Sequence, residues 1–152
     1  MDLNTAFDRL KQAHLNGHLS YEQRIELLTR LDAAVRRQRE DIVAACSADF
    51  GRRARIETLA ADVMVTLDEI KYARKNLRRW MRPHSRSVNL TFKPARGEIR
   101  YTPLGVVGVV APWNYPFQLA IIPLVNAIAA GNRVMIKPSE FTPYSALALA
   151  VL

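Results

Sequence analysis

Three residues in the last third of the chain have the types and spacing to do chemistry: Asn114, Lys137 and Glu140. Asn114 sits in Ala111-Pro112-Trp113-Asn114-Tyr115-Pro116, directly after the apolar run Gly105–Val110. Lys137 opens Lys137-Pro138-Ser139-Glu140, directly after Arg133–Ile136. A fixed amide N–H2 suits an oxyanion that develops in a water-poor site. An ammonium can donate to ribose hydroxyls or approach a phosphate, and a carboxylate can accept both hydroxyls of a ribose diol. Each residue also has a plainer reading. An Asn between two aromatic residues suits a turn, and a Lys and a Glu near a helix start suit a solvated surface.

The elements around these residues decide whether they meet. Gly105–Val110 is a continuous β-branched run of the kind expected for a strand buried on both faces of a parallel sheet. Pro116 can open a helix through Leu119, Ile122 and Ile128, with Pro123 disturbing its interior and Gly131-Asn132 stopping it. Arg133–Lys137 is a second short strand. Strand, helix, strand in about thirty residues is a βαβ unit. Its two post-strand loops share one sheet edge, where ligands of open α/β sheets bind. Another helix begins at Thr142.

The first eighty residues have helical patterning. Ser20-Tyr21-Glu22-Gln23 has the form of a capping box ahead of Ile25, Leu28, Leu31 and Val35. Glu40–Phe50 is predicted as a short helix capped by Gly51. A longer one carries Ile56, Leu59, Val63, Leu67, Ile70, Leu77 and Trp80 and ends before Pro83. Ser87–Phe92 alternates like a strand, Pro94–Gly97 reads as a turn, and Glu98–Tyr101 resumes extension, which predicts a β-hairpin. The fold class is α/β: helices over 1–83, a β-hairpin over 84–102, and over 103–152 the first βαβ unit of a Rossmann-like cofactor-binding domain.

Composition narrows the function classes. A chain of 152 residues with 49% apolar and 24% charged residues is globular in character. It has no apolar run long enough for a membrane span and no signal-peptide pattern, so no membrane partner is expected. One cysteine, Cys46, cannot form an internal disulfide, which favours a reduced, cytoplasmic setting. Cys46 lies inside a predicted helix and reads as a small buried side chain. His14, His18 and His84 fit no metal spacing, so no metal is expected. Gly105-x-x-Gly108 lies within a strand and is no phosphate-binding loop, and there is no Walker lysine motif. The net charge of +8 gathers between Lys71 and Arg100, where Glu98 alone opposes ten cations. Such a patch can bind polyanions. It lacks the finger, RNA-binding sheet or helix-turn-helix signature of a nucleic-acid module, so a solvated or protein-facing surface is preferred.

Two segments together carry a resemblance. Pro103-Leu-Gly-Val-Val-Gly-Val-Val-Ala-Pro-Trp-Asn-Tyr-Pro116, followed by Ala130-Gly-Asn-Arg-Val-Met-Ile-Lys-Pro-Ser-Glu140, closely resembles the aldehyde dehydrogenase superfamily in sequence, order and separation. Asp49-Phe50-Gly51, Glu57-Thr58 and Trp80-Met81-x-Pro83 look like its short-form branch, which includes coniferyl aldehyde dehydrogenases.

The resemblance implies NAD(P)-dependent oxidation of an aldehyde, coniferaldehyde or another aromatic one, to its acid through a thioester. Asn114 matches the oxyanion-hole asparagine, while Lys137, Ser139 and Glu140 match the cofactor-ribose segment. Val110, Ala111, Pro112 and Trp113 would line the cofactor cleft, largely through backbone. A glutamate at position 140 favours a free ribose 2′-hydroxyl, hence NAD over NADP. The resemblance makes the 84–102 hairpin part of an oligomerisation arm and the parent enzyme a homodimer. It also places the nucleophilic cysteine and general-base glutamate beyond position 152, so the fold is expected to be incomplete and the chain alone inactive. A non-catalytic remnant associating through its helices is the alternative.

Overall fold

The computed structural model describes residues 2–152. Helix α1 spans Leu3–Leu15, α2 Tyr21–Arg37 and α3 Arg39–Phe50. The capping box forms as expected: the Gln23 N–H donates to Ser20 Oγ at 3.2 Å, and the Ser20 N–H donates to Gln23 Oε1 at 2.8 Å. Gly51 ends α3 at φ +75°, a left-handed conformation that costs a residue with a Cβ.

The long helix after Gly51 departs from one regular period. A single turn, α4 (Arg55–Glu57), runs into a π-helical segment over Thr58–Met64, and α5 continues from Val65 to Trp80. The residues expected to share one stripe divide accordingly. Ile56 is exposed, whereas Val63, Ile70 and Leu77 are buried.

The hairpin is present with different boundaries. Strand β1 (His84–Arg86) pairs antiparallel with β2 (Gly97–Ile99), with Arg86 opposite Gly97. The expected strand Ser87–Phe92 does not form. Asn89 Oδ1 instead accepts from the Thr91 N–H at 3.1 Å and nucleates a 3₁₀ turn over Leu90–Phe92. A local side-chain bond has outcompeted a ladder with no partner strand to satisfy it.

Strands β3 (Val106–Val110) and β4 (Arg133–Lys137) pair in parallel, with Val106 opposite Arg133 and Val110 opposite Lys137. Between them α6 spans Gln118–Ala129, completing the βαβ unit, and α7 (Pro143–Ala150) follows β4. Helix α6 continues through Pro123, which lies on its exposed side, so the lost N–H costs one backbone bond. β3 is not buried on both faces: Val109 is buried, but Val110 is 77% exposed. Among the described residues, β4 alone pairs with β3.

α6 is the hub. Its Ile121, Val125 and Ala129 join Leu28 and Val35 of α2, Ile42 and Cys46 of α3, Val63, and Ile70 and Leu77 of α5 in one apolar core. Helix α1 packs on β3 and β4, and α7 packs on α3. Arg24 is buried against the end of α6, donating to Ala129 O at 2.9 Å and Leu19 O at 3.0 Å. Asn132 Oδ1 accepts from the N–H groups of Leu104 (2.7 Å) and Gly105 (3.0 Å), which ties the entry of β3 to that of β4.

Candidate functional site

The two post-strand loops emerge side by side, as the parallel pairing requires. The Ala111 N–H donates to Lys137 O at 3.0 Å, so the ladder extends one residue past β3 and fixes the loops' relative height. Val110, Pro112, Trp113 and Asn114 are exposed at this edge, as are Lys137 and Glu140. Ala111 is buried and its N–H is already bonded. This segment also presents apolar side-chain surface outward, from Val110, Pro112 and Trp113.

Lys137 Nζ and Glu140 form an ion pair across their tight turn. The Lys137 ammonium, by hydrogen bonding first, holds the Glu140 carboxyl below the usual range, so it stays an anionic acceptor. Both side chains are exposed, which makes the pair weak and readily opened to a competing diol. Ser139 is different. It is buried, and its Oγ accepts from the Phe141 N–H at 3.2 Å, so its side chain shapes the turn. Beside Glu140 lies an open groove of about 660 Å³, bounded by Ile136, Pro138, Pro143, Ala146 and Leu147.

Asn114 is held by its backbone. Its carbonyl accepts from Arg53 Nη1 at 3.1 Å, and among the described residues its side-chain amide meets no hydrogen-bond partner. The amide is thus available to a ligand. Arg53 and Asp62, which carry no motif, organise this loop. The Arg53 side chain is 4% exposed; its guanidinium lies 3.0 Å from Asp62 Oδ2 and 3.4 Å from Glu57 Oε1. Its Cζ sits 5.0 Å from the Phe50 ring centre and 4.8 Å from that of Tyr115. Phe50 in turn lies 6.4 Å from Trp113. Asp62 is fully buried on the π-helical segment, and its Oδ1 accepts from the Gln118 N–H at 3.0 Å, at the start of α6. Burial pushes the Asp62 carboxyl above the usual range, against the opposing pull of the Gln118 N–H and Arg53. The sequence signal for these two was faint: a lone Asp on the apolar side of a helix, and an Arg just after a glycine cap.

Asp49 is a third residue read only as part of a resemblance. Its carboxylate accepts from the N–H groups of Tyr144 (3.0 Å) and Ser145 (2.7 Å) and from Ser145 Oγ (2.6 Å). It caps α7 from across the structure, where Thr142 supplies no side-chain cap of its own. Cys46 is buried, 3.7 Å from Ser145 Oγ, and burial raises its thiol, both contrary to a reactive nucleophile. No group of three His, Cys, Asp or Glu among the described residues could hold a metal ion. Among the described residues no helix is long and apolar enough to cross a membrane.

One α/β edge thus brings together an unpartnered amide, an exposed apolar strip and a lysine–glutamate pair. The chain belongs to the aldehyde dehydrogenase family, whose model matches residues 2–152. It is 43% identical over 152 residues to a coniferyl aldehyde dehydrogenase of a Pseudomonas species, the match covering 99% of this chain and 31% of that one. It is 44% identical over 142 residues to a probable coniferyl aldehyde dehydrogenase of Pseudomonas aeruginosa, covering 93% and 30%. The substrate-bound AldH of Staphylococcus aureus superposes with a TM-score of 0.90 at 35% identity, covering 98% of this chain and 33% of that one. The chain therefore spans about a third of the length of these relatives.

Proposed function

We propose that residues 103–152 supply the oxyanion donor and the adenosine-side cofactor contacts of an NAD-linked aldehyde dehydrogenase acting on coniferaldehyde or a related aromatic aldehyde. The observation that carries this reading is the shared edge, where Asn114 and the Lys137–Glu140 pair follow adjacent parallel strands. The substrate class rests on likeness to the coniferyl aldehyde dehydrogenases.

The residues fit a dinucleotide. Glu140 is anionic and exposed, so it can accept from a ribose diol while Lys137 donates to the same sugar. A carboxylate there repels a 2′-phosphate, which favours NAD over NADP. The apolar groove beside Glu140 has room for an adenine ring against Pro138, Ala146 and Leu147. Val110 and Trp113 give the other loop an apolar face for the cofactor. NAD, when bound, supplies the hydride acceptor. Asn114 donates its side-chain N–H to the aldehyde oxygen as negative charge gathers there, a stabilisation that grows only as the reaction proceeds. The nucleophile and general base are assigned to sequence outside this chain, so residues 1–152 alone turn over no aldehyde. The exposed Leu90, Phe92 and Tyr101 around the hairpin support an arm used in homodimer assembly, and the free, buried Cys46 is in keeping with a reduced, cytoplasmic setting.

Two measurements test this. Titrating the 15N-labelled chain with NAD should shift Val110–Trp113 and Lys137–Glu140, with Glu140→Gln weakening binding about tenfold, the loss of one charge-assisted bond. Joined to the remaining two-thirds of the Pseudomonas relative, the chain should support aldehyde-dependent NADH formation, and Asn114→Ala should lower kcat by about 10²–10³-fold. Shifts confined to other residues, or undiminished turnover of Asn114→Ala, would refute the reading.

A further inference from the structure

Resting on the role just given to Asn114, we propose that Arg53 is the positioning residue of the Pro112–Pro116 loop, presenting the Asn114 amide in a fixed orientation through its ion pair with Asp62.

The geometry needs an arginine. One planar guanidinium reaches the Asn114 carbonyl with Nη1 at 3.1 Å and Asp62 with Nη2 at 3.0 Å, while its faces meet the rings of Phe50 and Tyr115. Lysine has neither the fork nor the planar face. Asp62 meets the chain again just past the loop, where its other oxygen takes the Gln118 N–H at 3.0 Å. The loop is thus held at its middle and at its exit by one buried pair. The contact to Asn114 is made to backbone, which leaves the side-chain amide free yet fixes its origin.

The choice of a buried ion pair for this purpose is informative. Taking both charges out of water costs about as much as their attraction returns, so apolar side chains of the same shape would serve the core at least as well. What apolar side chains cannot do is bond a carbonyl and a backbone N–H at chosen points. A displacement of about 1 Å in a reacting group can cost about 10²-fold in rate, which gives such fixation its value.

The test separates positioning from mere support. Arg53→Met/Asp62→Asn removes both buried charges together, leaves only the half-exposed Glu57 without its cation, and keeps an acceptor for Gln118. In the chain itself, the 15N order parameters of Asn114 and Tyr115 should fall below about 0.6 in this variant, while those of α2 and α5 stay at about 0.85. Arg53→Lys, which retains the charge, should not restore high order parameters at Asn114–Tyr115. In the enzyme completed with the Pseudomonas relative's remaining two-thirds, the double variant should lower kcat about 10²-fold with KM for NAD within about threefold. On an Asn114→Ala background the same double change should add little, because its effect acts through that amide. Full additivity, unchanged order parameters at Asn114–Tyr115, or low ones there in the wild-type chain would overturn the proposal. If Asn114→Ala itself leaves kcat unchanged, the oxyanion role fails, and the order parameters still decide whether Arg53 holds the loop.

Discussion

Replacing Asp49 by alanine should loosen α7 and the Lys137–Glu140 turn that leads into it. Asp49 reaches from the end of α3 to the first turn of α7 and accepts three bonds, from the Tyr144 and Ser145 N–H groups and the Ser145 hydroxyl. Loss of a helix N-cap costs about 1 kcal/mol, and bonds to a charged acceptor run to about 1.5–3 kcal/mol each. Water can reach part of the site after truncation, since Tyr144 is exposed. The net cost is about 2–4 kcal/mol. For a chain of this size each kcal/mol lowers Tm by roughly 3–4 °C, so the shift should be about 6–16 °C. Asp49→Asn has one carbonyl oxygen in place of two and turns an N–H2 on one of the two backbone donors, so it should recover about half of the loss. Urea unfolding followed by circular dichroism and by tryptophan emission gives the stability, and exchange at Tyr144 and Ser145 locates it. An Asp49→Ala variant within about 0.5 kcal/mol of wild type, or one in which those two amides keep their protection, would refute the assignment of Asp49 as the cap of α7.

Two further outcomes follow from other sites. Gly131→Ala should destabilise by about 2–4 kcal/mol in the same urea assay, because φ is +87° and the new Cβ would lie 2.6 Å from Arg24 Cζ and 2.9 Å from Pro103 Cγ. A neutral result would mean that Arg24 can leave Ala129 O freely. Asp62→Asn should alter the pH dependence of stability in a defined direction. Burial raises the folded Asp62 carboxyl above its ordinary value, so its contribution is fully present below the unfolded pKa and is lost as pH rises through the folded one. The stability of the Asp62→Asn variant relative to wild type should therefore improve as pH climbs from about 3 to 6, whatever its constant offset. A relative stability that worsens over that range would show that Arg53 outweighs burial.

Much of the architecture was legible because it rests on periodic burial. The capping box at Ser20, the Gly51 stop and the βαβ unit all appear where the residues placed them. What escaped was set by competition between local and distant partners. Ser87–Phe92 alternates as a strand should, yet Asn89 satisfies its own neighbour first and the ladder forms on either side of it. Ile56 matches the spacing of the long helix and still faces solvent, because the period changes at Thr58. In the site, Asn114, Lys137 and Glu140 announced themselves as polar residues at strand ends. Arg53, Asp62 and Asp49 did not, since each acts on backbone groups 56 to 96 residues away, and no spacing rule connects such partners.

The π-helical segment at Thr58–Met64 works as a phase shifter. A helix advances about 100° per residue, so one added residue absorbed into a wider turn rotates everything before it relative to everything after it. Here that rotation lets Val65–Trp80 keep its apolar side on the core while Asp62 still points at the start of α6. A chain one residue shorter at Ala60 would spell a smoother α-helix with better local hydrogen bonding. It would also swing the turn before it, and with it Arg53, by about a quarter turn relative to Asp62, parting Arg53 from its buried counter-charge. The irregular helix is thus the spelling that keeps Arg53 and Asp62 together, and helical regularity is a poor guide to which lengths this segment tolerates.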